Sequence, residues 1–498
     1  MSEVRVEVPN QDPTKSSKVL VQPYKPCDIL VLFTRIPLIV CFITSISVVL
    51  YSAFSTQSRG SRFYLPKPKS VLIPDQRPTN ISHILFGIAG SAATWHDRIR
   101  YTNLWWKPNK SRGFIWLDKK PGINNDGKIV HQTENMIPYR VSDAGWTRFR
   151  YSSSRSAVRI ARIIWDSFKL NLPNVRWFVM GDDDTVFFTD NLVSVLARYD
   201  HDQMWYIGCN SESVEQNVMH AYDMAFGGGG FAVSYPLAEK LVNVLDGCLE
   251  RYYYFYGSDQ RVWACISEIG VSLTTERGFH QLDIRGDPYG LLAAHPVAPL
   301  VSLHHIDYFN SLFPNRTQID SLDTLIHAYR VDPNRILQQS FCYDSKRGWS
   351  ISVSWGYTIQ LYPFLLSANN LAMPLQTFKT WRSWSNGPFV FNTRPVSPNP
   401  CEHPVVYFLD RLEKVGQTGT RTIYTRSGPK FGKGCDRADY VKAMAVKTII
   451  VSSLRIDPAY CQKATLRPCC EIMDDGSIKD GTMRIRIRKC REKEIMAV

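Results

Sequence analysis

The first long apolar stretch of the chain lies close to its N-terminus. Ile36–Phe54 is strongly apolar, and the next charged residue is Arg59. Such a stretch is long enough to span a bilayer, and the residues before it argue against a cleaved signal peptide. The pattern predicts a cytosolic tail at residues 1–35 and a single transmembrane signal-anchor at residues 36–56. Residues 57–80, which include four prolines, are predicted to form a stalk.

Short apolar runs then alternate with helical patterns. The runs Ile84–Ile88, Phe114–Leu117 and Trp177–Met180 have the length of buried strands. Between and after them, apolar residues recur at helical spacing, as they do in Ser156–Leu170. This alternation predicts an α/β domain with a mostly parallel sheet at residues 81–335.

The pattern changes in the last third of the chain. Turn residues separate several short strand candidates, namely Trp349–Leu361, Val405–Leu409, Lys447–Val451 and Met483–Ile487. Polar and apolar residues alternate in the first of them. We therefore predict a β-rich C-terminal domain at residues 340–498.

Composition and charge are those of a globular protein. Hydrophobic residues make up 44% and charged residues 21% of the chain, which excludes a mostly disordered protein. A chain of 498 residues is too long for one compact core, in agreement with more than one domain. The net charge of +14 comes from scattered basic residues without a nucleic-acid-binding motif, so we expect no nucleic-acid partner.

Cysteines and glycosylation sequons bear on the compartment. Of the twelve cysteines, ten run from Cys209 to Cys490, and none have the paired spacing of a zinc site. Disulfides in an oxidising compartment are therefore expected. Sequons at Asn80, Asn109 and Asn315 also favour a lumenal C-terminal part and a type II orientation. The basic residues around the apolar stretch favour the opposite orientation, because more of them follow the stretch than precede it.

Three consecutive aspartates, Asp182, Asp183 and Asp184, follow the buried strand that starts at Trp177, and we term them the aspartate triplet. Adjacent carboxylates repel one another, so a fold that keeps them together must offset their charge. A divalent cation would do so, and at the carboxyl end of a strand it could neutralise a diphosphate leaving group. The simpler interpretation is a turn with a helix-capping aspartate.

Two further segments carry candidate chemistry. Phe226–Phe231 holds four consecutive glycines between aromatic residues. These glycines allow a ligand to approach the main chain, although a flexible loop or a strand bulge is the alternative. Asp259 follows an almost wholly aromatic run and stands at a predicted helix start. It is either an N-cap or a general base that takes a proton from a sugar hydroxyl.

A strand-like run, Val301–His305, ends in two histidines. One imidazole could serve as a metal ligand. Because adjacent side chains of an extended segment point to opposite faces, at most one of His304 and His305 would be that ligand. A histidine whose polar atoms are satisfied by the protein is the alternative.

In this order and spacing, the segments WFVMGDDDTVF, FGGGGFAVS, GSDQRVW and VSLHHID resemble a known family. They are similar to the Fringe-related glycosyltransferases of glycosyltransferase family 31, which include core β-1,3-galactosyltransferases. The chain looks most like the plant Fringe-related group, the domain of unknown function 604 group. The resemblance covers about Ile84 to Asp307, and the region beyond about residue 340 has no counterpart in Fringe itself.

The resemblance implies a GT-A fold that binds a UDP-sugar donor together with Mn²⁺ or Mg²⁺. It implies a hexosyltransferase that inverts the anomeric centre and forms a β-1,3 linkage to a hydroxyl acceptor. It also implies a type II protein of the Golgi membrane, with the catalytic domain in the lumen.

By the same resemblance, metal and nucleotide would be held by five residues. Asp184, Asp182 and His304 are implied as metal ligands. Asp182 and Asp183 would lie near the ribose and diphosphate, and Arg98 would touch the nucleotide.

The implied catalytic base is Asp259, and Gly228, Gly229 and Gly230 are implied to line the substrate cleft. The sequence departs from the family pattern at two of these places. Gly229 stands where animal members often have alanine, and Asp259 follows Ser258 rather than an acidic residue.

Two other functions fit parts of the sequence. Asp182, Asp184 and Val186 match the Asp-x-Asp-x-Thr/Val pattern of haloacid-dehalogenase-type phosphatases, in which the first aspartate is the nucleophile. Those enzymes also need a downstream lysine and a second acidic pair, for which Gly286-Asp287 is a poor substitute. The other alternative is a catalytically silent membrane protein that binds a sugar nucleotide or a glycan.

Overall fold

The computed structural model describes residues 44–46, 77–122, 134–151, 154–428, 430–431, 435–457, 466–473 and 479–496. Residues Arg77–Val498 form one compact unit of mixed α/β structure. Apart from residues 44–46, which are helical, the predicted tail, transmembrane segment and most of the stalk lie outside the described residues. Within the described ranges, no helix combines the length and the apolar character needed to cross a bilayer.

A seven-stranded sheet organises the N-terminal part of this unit. The strands before residue 335 are β1 (Ile84–Ala89), β2 (Arg112–Leu117), β3 (Tyr139–Val141), β4 (Trp177–Asp182), β5 (Val186–Phe187), β6 (Tyr206–Gly208), β7 (Phe231–Ser234), β8 (Leu273–Thr275), β9 (Ile284–Gly286) and β10 (Ser302–Leu303). The sheet order is β3-β2-β1-β4-β7-β6-β8. Only β7 is antiparallel to its neighbours in this sheet, so the mostly parallel pairing that the sequence predicted is present.

Helices cover both faces of the sheet. Their bounds are Trp95–Trp105, Arg155–Ala161, Ile163–Lys169, Thr189–Leu196, Val214–Met219, Tyr235–Arg251, Ser258–Ile269, Tyr289–Ala293 and Gln318–Val331. Every residue of β1 is buried, with Phe86 and Ile88 in one hydrophobic core and Leu85 and Ala89 in another. A strand buried on both faces is a continuous apolar run in sequence, which is why the pattern identified it.

An eight-stranded sheet forms the C-terminal part. Its strands are β11 (Gln339–Asp344), β12 (Trp349–Ser354), β13 (Thr358–Tyr362), β15 (Val405–Val415), β16 (Gly419–Arg426), β17 (Thr448–Leu454), β18 (Cys469–Ile472) and β19 (Thr482–Arg488), while β14 (Phe378–Thr380) lies outside it. The helices here are Ala368–Ala372 and Ala438–Met444. The strand candidate Trp349–Leu361 is corrected to a hairpin of β12 and β13, because Gly356 turns the chain with a φ of +79°.

Four disulfides among the described residues confirm the expectation from the cysteine count. Cys248–Cys265 joins two neighbouring helices of the N-terminal part. The C-terminal part contains Cys342–Cys470, Cys401–Cys435 and Cys469–Cys490. The first of these links β11 to β18, which are the two edge strands of the eight-stranded sheet. In the described part of the chain, Cys209 is the free cysteine.

The two sheets contribute to one hydrophobic core. Side chains of β1 and β4 belong to the same buried cluster as side chains of β12 and β13. In addition, β14 pairs antiparallel with β9 and so joins the C-terminal part to the N-terminal part by main-chain hydrogen bonds. The division at residues 335 and 340 stays a prediction, since both parts lie in the same compact unit.

Candidate functional site

The aspartate triplet lies at the carboxyl end of β4, near the middle of the seven-stranded sheet. Thr185 fixes the turn that follows, because its Oγ1 accepts a hydrogen bond from Asp182 N at 2.8 Å and donates one to the Gly228 carbonyl oxygen at 2.7 Å. The indole Nε1 of Trp105 donates to the Thr185 carbonyl oxygen at 3.0 Å. A buried threonine therefore connects the triplet to the four consecutive glycines at residues 227–230, which we term the glycine loop.

A short antiparallel pairing brings His304 to the triplet. β10 pairs with β5, which follows the triplet, so the residue after β10 lies beside the carboxylates. His304 Nε2 lies 3.1 Å from Asp184 Oδ1 and 3.6 Å from Asp182 Oδ2. One ligand atom from each residue lies within 4.8 Å of the others. Two carboxylates and an imidazole at this spacing fit a divalent cation such as Mn²⁺.

Arg98 offsets part of the charge of the triplet. Its Nη1 lies 2.9 Å from Asp183 Oδ1, and its Nη2 lies 3.3 Å from Asp184 Oδ2. Three carboxylates beside one guanidinium leave two net negative charges when His304 is neutral. Asp184 Oδ1 is buried, and the imidazole of His304 is its ion-pair partner. The residual negative charge fits a bound divalent cation.

Burial and neighbouring charges shift the pKa values of the site residues in different directions. Burial raises the pKa of Asp182 and also that of Asp183, the latter to about 6. Burial would raise the pKa of Asp184 as well, but the charges of His304 and Arg98 hold it well below its usual range. Burial would lower the pKa of His304, but the Asp184 carboxylate raises it to about 9. Without a cation the imidazole is protonated at neutral pH, so cation binding must displace that proton.

The glycines of the loop are packed closely by other parts of the protein. A side chain at Gly228 would overlap the ring of His304. A Cβ at Gly229 would lie 3.1 Å from Gln281 N, and the Gly229 N–H donates to Gln281 Oε1 at 2.6 Å. Gly230 has a φ of +84°, which disfavours other residues. Packing and backbone conformation thus account for three of the glycines, and their role in substrate binding stays a prediction.

Asp259 is the second residue of the helix Ser258–Ile269. Its Oδ2 accepts a hydrogen bond from Gly227 N at 3.2 Å, and its Oδ1 accepts one from Gln260 N at 3.0 Å. Asp182 and Asp259 line the same small cavity. Burial raises the pKa of Asp259, because these hydrogen bonds do not outweigh the loss of water. A carboxylate with a raised pKa in the same cavity as Asp182 fits a general base.

His305 has different partners from His304. Its Nδ1 lies 3.1 Å from Asp283 Oδ1, and its φ of +53° turns the chain after β10. Its ring stacks on the ring of Trp381 with 4.2 Å between the centroids. Only one of the two adjacent histidines therefore approaches the triplet, as expected, but the reason differs: His305 is not extended, and the two rings lie 4.0 Å apart instead of on opposite faces.

Two residues near the site were missed in the sequence. Asp118 directly follows β2, as the triplet ends β4, and accepts a hydrogen bond from Ala92 N at 2.8 Å in the loop after β1. An acid directly after a buried apolar run was the signal that could have identified it. Trp381 follows β14 and reaches His305 only through the pairing of β14 with β9. No local pattern indicates that contact.

Fold and site together define a mixed α/β protein with a candidate metal centre at the carboxyl end of a mostly parallel sheet. A family model described as "Protein of unknown function, DUF604" matches residues 216–470, just over half of the chain. The chain belongs to this family. The matched region begins after the triplet, but it contains the glycine loop, Asp259, His304 and most of the eight-stranded sheet. Members of this family are therefore expected to carry parts of both sheets.

Proposed function

We propose that this protein is a metal-dependent inverting glycosyltransferase. It moves a hexose from a UDP-sugar to a hydroxyl acceptor and forms a β-1,3 linkage. The observation that carries the proposal is the convergence of Asp182, Asp184 and His304 at one edge of the sheet, with Asp259 in the same cavity as Asp182. The resemblance of four sequence segments to Fringe-related enzymes supports this activity and a GT-A type of fold for the seven-stranded sheet.

The proposed metal ligands are Asp182, Asp184 and His304, and bound Mn²⁺ or Mg²⁺ would offset the negative charge of the departing diphosphate. Arg98 holds Asp183 and Asp184 by ion pairs and so opposes the mutual repulsion of the triplet. The side chain of Arg98 remains 29% exposed, which leaves part of the guanidinium open to the proposed nucleotide.

The proposed base, Asp259, takes the proton of the acceptor hydroxyl at a carboxylate oxygen. The N–H groups of Gly227 and Gln260 orient this carboxylate. Its raised pKa makes it a stronger base than a solvated aspartate. The acceptor oxygen attacks the anomeric carbon as the bond from that carbon to the UDP oxygen breaks on the opposite face, and the configuration is inverted.

A donor panel tests the proposal. Purified full-length protein is incubated with UDP-galactose, UDP-glucose or UDP-N-acetylglucosamine and a mixture of methyl β-glycosides as hydroxyl acceptors, with Mn²⁺ and with a chelator, and released UDP is measured. We expect release with at least one donor, its loss on chelation and its return when Mn²⁺ is restored. Binding of UDP without release from any donor would contradict the proposal and favour the catalytically silent binding protein.

Mn²⁺ is expected to bind more tightly as the pH rises. His304 is protonated below its pKa of about 9, and a metal ligand must be neutral, so the proton competes with the cation. The affinity should rise up to about tenfold per unit between about pH 7 and about pH 9, where His304 is the ligand that titrates, and more steeply below about pH 7, where Asp182 also binds a proton. Calorimetry in two buffers with different ionisation heats would count the released protons.

His304→Gln is the control for this titration, because glutamine cannot hold the competing proton. The variant is expected to bind Mn²⁺ more weakly and to lose the part of the pH dependence that comes from His304, while the part that comes from Asp182 remains. A wild-type affinity that stays constant over this pH range would contradict proton displacement from His304.

A further inference from the structure

β14 brings a segment of the C-terminal part to the edge of the candidate metal centre. β14 pairs antiparallel with β9, and Trp381 follows β14 directly. The rings of Trp381 and His305 stack with 4.2 Å between their centroids and 7° between their planes. The ring of His305 lies 4.0 Å from the ring of His304. One imidazole ring therefore separates Trp381 from a proposed metal ligand.

Three aromatic rings and one guanidinium form a cluster at this edge, which we term the aromatic platform: Trp381, Trp384, Tyr308 and Arg285. The guanidinium carbon of Arg285 lies 3.8 Å from the ring centroid of Trp381. It also lies 5.3 Å from the centroid of Tyr308 and 5.6 Å from that of Trp384. Tyr308 meets Trp381 edge to face at 5.0 Å. The guanidinium of Arg285 thus contacts rings from two segments that are distant in sequence.

Two rings of the platform remain open to solvent. Trp384 is 57% exposed and Tyr308 is 44% exposed. Rings of this size bury little area for the fold when they are so exposed, and clustered apolar surface beside a polar site is typical of ligand binding. Arg382 and Ser383, which lie between the two tryptophans in sequence, are exposed and add polar groups. The surface is therefore apolar in its faces and polar at its edge.

We propose that the aromatic platform binds the pyranose ring of the acceptor glycan. A pyranose presents C–H groups on its faces and hydroxyls at its rim, so it packs on an aromatic ring while polar groups meet the hydroxyls. The platform contacts the proposed metal centre at His304, through the ring of His305. Arg98, which is proposed to meet the nucleotide, contacts the same centre at Asp183 and Asp184. We therefore assign the platform to the acceptor and not to the donor. The acceptor role rests on the proposed glycosyl transfer.

The donor sugar is the other source of a pyranose ring, and two assays separate the two sources. Saturation-transfer NMR on the full-length protein measures binding of the methyl β-glycosides of galactose, glucose and N-acetylglucosamine. UDP release in the absence of any glycoside measures use of the donor. The variants are Trp384→Ala, Trp384→Tyr and, as a control, Val441→Ala. Val441 is 52% exposed on the helix Ala438–Met444 and is not part of the platform.

We expect the wild type to bind at least one glycoside at millimolar concentration. Trp384→Ala should raise the Kd for that glycoside roughly threefold to tenfold, the range of a single lost ring contact. Trp384→Tyr, which keeps an aromatic face, should restore most of the affinity. Val441→Ala should bind as the wild type does. Release of UDP without a glycoside should be the same in all four proteins.

Three results would overturn the proposal. In the first, the wild type binds none of the glycosides, or Trp384→Ala binds them as well as the wild type does. In the second, Trp384→Ala weakens use of the UDP-sugar but not binding of the glycoside, which assigns the platform to the donor. In the third, a glycoside binds through Trp384 while no donor releases UDP either with or without that glycoside, which removes the acceptor role together with the proposed function.

Discussion

Replacing Asp259 by asparagine is expected to lower the rate of sugar transfer by about 10²- to 10⁴-fold, as loss of a general base typically does. Asparagine has nearly the shape of aspartate but cannot take the proton of a hydroxyl. Its carbonyl oxygen can still accept the hydrogen bond from Gly227 N, although the bond from Gln260 N to the second carboxylate oxygen is lost. UDP and Mn²⁺ are expected to bind nearly as before. Acceptor-dependent UDP release and calorimetry measure the two effects.

Asp190→Asn is the matched control for this variant. Asp190 is likewise the second residue of a helix, Thr189–Leu196, and its carboxylate pairs with Lys107 at 2.7 Å near the surface. Exposed ion pairs contribute little, so transfer by this variant should stay within about twofold of the wild type. Normal turnover of Asp259→Asn would place the base elsewhere. An equal loss in both variants would indicate an effect of helix-terminal charge rather than of proton transfer.

The strands that carry the site could be predicted because both of their faces are buried. The apolar runs Ile84–Ile88 and Trp177–Met180 match β1 (Ile84–Ala89) and β4 (Trp177–Asp182) within two residues. A parallel strand with helices on both faces has few polar positions, so its sequence signal is strong. The acids at its end stand out against that run. The position of the triplet therefore followed from local sequence alone.

The segment Trp349–Leu361 shows where local patterns fail. Alternation of polar and apolar residues is typical of a strand with one face in solvent, yet Ser350, Ser352 and Ser354 are all buried. Ser354 Oγ donates to the Leu292 carbonyl oxygen at 3.2 Å, and Ser350 Oγ accepts from Leu366 N at 2.8 Å. The serines are satisfied by other segments, which the pattern of their own strand cannot reveal.

The glycine loop illustrates a third case, in which the residues were identified but their contacts were not. Four glycines in sequence indicated close approach to the main chain, and a bound ligand was the expected neighbour. At Gly228 the neighbour is the imidazole of His304, and at Gly229 it is the main chain around Gln281. Which group fills the space beside a glycine depends on tertiary packing, so it could not be read from the loop itself.

Gly228→Ala is expected to weaken Mn²⁺ binding by about 10- to 100-fold, the range found when support of a metal ligand is lost. The added methyl group would overlap the His304 ring. The Gly228 carbonyl oxygen accepts a hydrogen bond from Thr185 Oγ1, which restrains the loop, so the imidazole must move instead. Overpacking of this kind should also lower the free energy of unfolding by about 1–3 kcal/mol. Calorimetry with Mn²⁺ and denaturant unfolding measure the two effects.

Gly227→Ala is the matched control, one position earlier in the same loop. A Cβ at Gly227 would lie 3.6 Å from the Cβ of Asp259, which is ordinary van der Waals contact, and no other atom is closer. This variant should therefore bind Mn²⁺ as the wild type does, although both substitutions remove a glycine from the loop. Equal weakening in both variants would assign the effect to loop flexibility. Wild-type affinity in Gly228→Ala would show that His304 is not a metal ligand, because an imidazole displaced from Asp184 could not keep its place in the coordination of the cation.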